Sequence, residues 1–365
     1  MASSCGWIVI HGSMNEIAEA RRTRHNDVLF RKGQETEVGL LVKILKPKRT
    51  KVMPFDPDCA ALVTRLRELN LPRYETMTPL QAREAMAAAR KAAAMVPPAI
   101  AEARDIVAET SEGSLHARLY RPGSDAESRP TLVFFHGGGW VLGDLDSHDI
   151  LCRRLSIAGK SNVIAFDYRL APENKFPAAV NDAIAAVKWV FENASALRLD
   201  PRRIGVGGDS AGATLAATAT LQRRVAGSRD NAFQLLIYPA VEMAFSFPSH
   251  GLDEPGLPVL GSTMLWFRDL YLNSVDEQKD WRASPLLAKS FLNLPPSYVL
   301  TAGFDPLADE GTAYVAKLSD AGVPVFHRHF PGQIHGFLTM GPQLPTTEGA
   351  LFDIGSWIQG FPQNS

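Results

Sequence analysis

Short, continuous apolar runs recur along the chain at Thr131–Phe135, Val163–Phe166, Ile204–Gly207, Phe233–Tyr238 and Tyr298–Gly303. Unbroken runs of this length suit strands covered on both faces, as in a parallel sheet, better than strands with one wet face. The residues between them carry helical spacing. After Pro177, for example, Val180, Ala183, Ile184, Val187 and Trp189 fall on one face of a helix. Alternation of this kind predicts an α/β fold with helices on both faces of a mostly parallel sheet, and Arg118–Tyr120 with the region before it predicts an antiparallel edge. Upstream, two helices are expected between about 53 and 98. The first begins around Cys59–Leu66, and the second is Pro79–Arg90, with Thr78 as N-cap and Pro79 at the first helical position. Prolines 97 and 98 should end it.

Composition narrows the class. The chain has 365 residues, 45% of them hydrophobic and 21% charged, enough to bury a large core. A formal net charge of -1 argues against a nucleic-acid partner, and no apolar run is long enough to span a bilayer. Three widely spaced cysteines, Cys5, Cys59 and Cys152, have neither disulfide-framework nor metal-site spacing, so reduced thiols in a cytoplasmic protein are expected. The first 52 residues differ in character, with ten Lys/Arg against five Asp/Glu. They read as a basic extension of open role, in which Val38–Leu45 could form a strand or a short helix. No HExxH, Walker loop or paired ligand spacing calls for a metal or a cofactor.

Chemistry enters at Gly208-Asp209-Ser210-Ala211-Gly212, which follows one apolar run and precedes an Ala/Thr/Leu-rich stretch. A G-x-S-x-G pentapeptide between strand and helix forms a tight elbow that lifts the serine hydroxyl toward a substrate. Upstream, His136-Gly137-Gly138-Gly139-Trp140 ends another strand and offers bare backbone N–H groups, as an acyl-transfer oxyanion requires. Asp305 ends the Tyr298–Gly303 run, and His335 lies in a glycine-flanked loop after Val325–Phe330. The order Ser, Asp, His is that of the α/β-hydrolases. His327 and His329 alternate along a strand and read as surface or packing residues. Asp309 and Glu310 fall in the following helix, where a helix N-terminus favours acids for dipole reasons. Asp209 is expected to bond nearby backbone and support the turn.

With these motifs in order, together with Asp167-Tyr168-Arg169-Leu170-Ala171-Pro172-Glu173, the chain from about residue 53 resembles the bacterial hormone-sensitive-lipase family (family IV) of serine esterases. The resemblance implies an α/β-hydrolase fold with a helical cap, and a cofactor-independent carboxylesterase acting on small-molecule esters of short to medium chain. It implies Ser210 as nucleophile, Asp305 and His335 as its partners, and Gly138, Gly139 and Ala211 as oxyanion donors. Trp140 would wall the acyl pocket or simply pack. The family often has a second glycine where Ala213 stands. The implied organisation is cap helices at 53–98, a catalytic domain at 99–238 and 287–365, and a cap insertion at 239–286 rich in residues such as Phe245, Phe247, Met264 and Phe267. Family members often dimerise through a sheet edge, so a homodimer is possible. The same triad would also serve acyl transfer or hydrolysis of an amide or lactone. Receptors of this fold, such as the gibberellin receptor, have lost the histidine that stands here as His335.

Overall fold

The computed structural model describes residues 54–124, 129–227 and 231–361; the expected element at Val38–Leu45 and the rest of the basic extension lie outside them. Within these residues the strands are β1 (Glu102–Thr110), β2 (Gly113–Arg121), β3 (Thr131–Phe135), β4 (Asn162–Asp167), β5 (Ile204–Asp209), β6 (Gln234–Ile237), β7 (Ser297–Phe304) and β8 (Val325–Ile334). They form a single sheet in the order β1-β2-β4-β3-β5-β6-β7-β8. β1 pairs antiparallel with β2, and β2 antiparallel with β4. From β4 to β8 all pairings are parallel. This is the α/β architecture expected from the apolar runs, in the α/β-hydrolase form that the family resemblance implied.

Side chains alternate faces along each strand, so the sheet divides the core in two. Val133, Phe135, Ile164, Val206 and Val299 point to one side, toward helices α4 (Ala178–Glu192), α5 (Ala211–Val225) and α7 (Ala308–Asp320). Leu132, Phe134, Val163, Tyr298 and Leu300 point to the other, toward α3 (Asp149–Gly159) and α8 (Thr346–Gln359). Burial on both faces explains why these strands read as unbroken apolar runs.

Helices α1 (Pro57–Leu69) and α2 (Pro79–Ala93) precede the sheet. Thr78 caps α2 as expected: its side chain accepts the Gln81 N–H, and the Gln81 carbonyl accepts the Thr78 N–H at 3.0 Å, a reciprocal capping box. The helix stops at Ala94, which turns left-handed, three residues before the prolines expected to end it. The segment between β6 and β7 contains α6 (Gly261–Tyr271) and several short 3-10 turns. Its Leu257, Leu260, Met264 and Phe267 are buried, whereas Leu265 is exposed.

Because β3, β5, β7 and β8 run parallel, the residues that leave their C-terminal ends gather at one edge of the sheet. Those residues are the His136–Trp140 loop, Ser210, Asp305 and His335. Ligands of open α/β sheets bind at this edge.

Candidate active site

The elbow is built by close approach. A Cβ at Gly212 would overlap the carbonyl of Phe135 on the neighbouring strand, and a Cβ at Gly208 would overlap the backbone of Gly212. Only glycines let strand, turn and helix meet this tightly. Ser210 itself holds φ 54° and ψ -122°, outside the regions an L-residue prefers, which aims its side chain out of the turn.

Ser210 Oγ lies 3.0 Å from His335 Nε2, and His335 Nδ1 lies 2.8 Å from Asp305 Oδ2. An ionised carboxylate only accepts hydrogen bonds, so Nδ1 carries the imidazole proton and Nε2 is left to accept from the serine hydroxyl. Asp305 is held in turn by the N–H of Leu307, which donates to Oδ1 at 2.8 Å. All three side chains are buried. Burial pulls the His335 pKa down, but the charge of Asp305 and its hydrogen bond outweigh that, with Asp209 and Glu310 adding to the effect. The net result lies above the ordinary histidine value. The ring of Tyr238 packs 4.7 Å from that of His335.

The glycine loop after β3 faces this trio. Gly138 has φ 122° and Gly139 φ 61°, conformations that favour glycine. Among the described residues, the N–H groups of Gly138, Gly139 and Ala211 make no hydrogen bond within the protein, and Ala211 opens α5 directly after Ser210. Asp209 fixes the loop, accepting the Gly137 N–H at 2.8 Å with His148 Nε2 close by. Burial raises the Asp209 carboxyl, yet His148 and the Gly137 N–H more than offset this and hold its pKa below the usual carboxylate range. His136 stacks on Tyr168, whose hydroxyl donates to the His136 carbonyl at 2.7 Å. Burial and the neighbouring His148 push His136 down to about 4, so it stays neutral.

Of the two readings of Trp140, pocket wall or packing, its surroundings favour packing. It has φ 61°, is fully buried, and stacks on Tyr271 of α6 with ring centroids 4.5 Å apart. The indole packs against the Tyr271 ring. One turn earlier on α6, Phe267 lies against Gly139 so closely that a Cβ there would overlap its ring. The helix thus grips the loop with two aromatic residues at i and i+4.

Two contributors, Arg83 and His250, went unnoticed in the sequence, and a third, Glu310, was noticed without its partner. Arg83 of α2 donates to the carbonyls of Val141 and Ala171, both at 2.8 Å, and makes a two-pronged pair with Glu173. An arginine in an Ala-rich helix reads as a solvated residue, so its only signal was Glu173 within the Asp167–Glu173 motif. Glu310 does sit in the first turn of its helix, where an acid was expected, but it is also fully buried and bonded to His250, which that reading did not include. Its partner carried no motif at all. His327 and His329 both contact the Thr301 hydroxyl at 2.9 Å, away from the serine, in keeping with a packing role.

A serine, a histidine and a carboxylate joined by hydrogen bonds thus stand at the C-terminal edge of a mostly parallel sheet, as in an α/β-hydrolase architecture. A family model described as alpha/beta hydrolase fold matches residues 132–339. Among characterised proteins, the chain is 44% identical over 234 residues to the carboxylic ester hydrolase LipN of Mycobacterium tuberculosis, an alignment covering 62% of each chain. It is 38% identical over 261 residues to ethyl acetate hydrolase of Pseudomonas putida, covering 70% of this chain and 81% of that one. An ester hydrolase from the Lake Arreo metagenome, solved with a bipyridine phosphonate derivative, superposes with a TM-score of 0.80 at 36% identity, over 84% of this chain and 98% of its own. The chain belongs to the hormone-sensitive-lipase family (family IV) of α/β-hydrolase esterases, which are carboxylic ester hydrolases. No helix of the described residues is long and apolar enough to cross a membrane.

Proposed function

We propose that this chain hydrolyses short- to medium-chain carboxylic esters through Ser210, His335 and Asp305, with an acyl-enzyme intermediate. The carrying observation is the unbroken hydrogen-bond line from Ser210 Oγ through His335 to Asp305, beside the N–H groups of Gly138, Gly139 and Ala211, which make no hydrogen bond among the described residues. His335 Nε2 takes the serine proton as Oγ attacks the ester carbonyl. The oxyanion is received by the N–H groups of Gly138, Gly139 and Ala211, each worth ~3 kcal/mol by analogy with measured donors. His335 then returns the proton to the leaving alkoxide. Water, activated by the same imidazole, attacks the acyl carbonyl, and Ser210 leaves with its proton restored. Asp305 holds the tautomer and stabilises the imidazolium throughout.

The short-chain reading is supported by the likeness to ethyl acetate hydrolase of Pseudomonas putida, named for a short-chain ester. A p-nitrophenyl ester series from acetate to palmitate, run on the wild type and on Ser210→Ala, tests the reading. The wild type should favour the shorter acyl chains, and the variant should lose on the order of 10^6-fold in kcat. Activity retained by Ser210→Ala removes it as nucleophile, and a preference for palmitate refutes the size limit.

A further inference from the structure

Beside the triad lies a buried cluster that the reaction as described does not use. Glu242, His250 and Glu310 bring their ligating atoms within 4.8 Å of one another, all three buried. The set is hydrogen-bonded as it stands. Glu242 accepts the N–H groups of Ala244 and Ser246 at 2.9 and 3.1 Å, and Glu310 Oε1 accepts that of Val241 at 2.6 Å. His250 Nδ1 accepts the Phe247 N–H at 3.1 Å. Its proton must therefore sit on Nε2, which donates to Glu310 Oε2 at 2.5 Å. With the imidazole committed at both nitrogens, Phe247, His250, Glu310 and Val241 form a hydrogen-bond relay, with Glu242 bonded separately, and a cation would have to break it.

What the relay joins is informative. Glu310 stands five residues after Asp305, in the first turn of α7. His250 belongs to the short 3-10 turn Pro248–Gly251, in the segment between β6 and β7. Its neighbour Ser249 grips the same stretch. The Ser249 hydroxyl donates to the Pro306 carbonyl at 2.8 Å and accepts the Asp309 N–H at 3.2 Å, while the Ser249 N–H donates to Asp309 Oδ2 at 2.9 Å. Ser249 and His250 thus make four hydrogen bonds across residues 306–310, immediately behind the carboxylate that orients His335. Phe245 sets its ring edge-on to the His250 imidazole at 4.8 Å, holding it in place. Gly261 at the head of α6 approaches the His250 carbonyl so closely that a Cβ would overlap it. The helix that grips the oxyanion loop therefore starts from the turn that grips the acid.

We propose that His250, with Ser249, is a positioning residue of the esterase reaction: it fixes the turn after Asp305 through Glu310 and so ties the β6–β7 segment to the triad. This rests on the reading of Ser210, His335 and Asp305 as the catalytic triad. The charged groups that bear on His335 are Asp305, Asp209 and Glu310, all acting to raise its pKa against burial. Loosening Asp305, or leaving Glu310 without its donor so that it takes up a proton, lowers the His335 pKa in either case.

The test compares wild type, His250→Leu and His250→Gln, whose amide N–H can still donate to Glu310, using p-nitrophenyl butyrate across pH. Folding is checked by near-ultraviolet circular dichroism. For His250→Leu, kcat should fall between about tenfold and a hundredfold, as for an ångström-scale misplacement of a catalytic group. KM should stay within about threefold of wild type, and the acidic limb of the pH profile should move to lower pH. His250→Gln should recover most of both. Should His250→Leu fail to fold, Ser249→Ala removes two of the four bonds and should shift kcat and the limb in the same direction by less. A folded His250→Leu with unchanged kcat, or with reduced kcat and an unmoved limb, overturns the proposal while the triad reading stands. A wild type inactive on every ester overturns the triad reading and the proposal with it.

Discussion

As the proposed general base, His335 acts only while Nε2 is unprotonated, so on that proposal its pKa sets the acidic limit of activity. Burial alone would lower that pKa and extend activity into acid; the paired Asp305 does the reverse and wins. The sign follows directly: kcat/KM should be full above the raised pKa and fall as pH drops through it, with the limb lying above the ~6.5 of an unperturbed imidazole. A pH profile of kcat/KM on p-nitrophenyl acetate checks this. In Asp305→Asn the limb should move below the wild-type position, because the raising charge is gone, while kcat drops by about 10^4-fold as the tautomer is lost. A wild-type limb near pH 5 would mean that desolvation outweighs the pull of Asp305 on the ring.

At the scale of elements, the oxyanion loop is held from outside the sheet. Helix α6 packs Phe267 on Gly139 and Tyr271 on Trp140, while α2 reaches in with Arg83 to two carbonyls and a carboxylate. That fork geometry is specific to guanidinium; an ammonium is a point donor and cannot serve Val141, Ala171 and Glu173 together. Arg83→Lys should therefore behave as a loss, lowering Tm by a few degrees for the 1.5–3 kcal/mol typical of charge-assisted bonds. It should also lower kcat on p-nitrophenyl acetate more than it raises KM. Thermal unfolding and initial rates measure both, and a Lys variant equal to wild type in each would show that Arg83 is not a support of the loop. These grips also mark where the sequence stopped being legible. Strands β3 to β7 and the residues at their ends could be read directly, because burial on both faces leaves unbroken apolar runs and because an elbow needs glycines at fixed spacing. Arg83, His250 and Glu310 could not be read, since their meaning lies in partners 58 to 90 residues away for Arg83 and 60 for the buried pair. Trp140 was legible as apolar but not as to its partner, because its left-handed backbone, φ 61°, brings the ring against Tyr271 of α6.

For the molecule as a whole, the buried titratable groups pull stability in opposite directions as pH falls. His136 is held down to about 4 by burial and by His148, and His327 and His329 are also lowered, chiefly by burial. The unfolded chain protonates these side chains near pH 6.5 while the fold resists, so each subtracts stability as pH drops below that value. Asp209, lowered on balance, adds a loss at the acid end as pH falls through its folded pKa. Glu310 acts the other way. Burial pushes it up to about 7 despite its bond to His250, so the fold takes up a proton before the unfolded chain does. Between that value and the ordinary glutamate range near 4.3, acidification makes Glu310 stabilising relative to neutral pH. Wild-type Tm should thus decline only gently from pH 7 to about 5 and steeply below, where the histidine and Asp209 losses continue and the Glu310 gain is exhausted. Glu310→Gln, which keeps an acceptor for Val241 but cannot titrate, removes the compensating group. Its Tm should fall more steeply than wild type between pH 7 and 5, and the two curves should run parallel below about pH 4. Differential scanning calorimetry over this range decides the matter: parallel curves throughout would mean that Glu310 does not change protonation between the folded and unfolded chain, and that its charge is held in the fold at neutral pH.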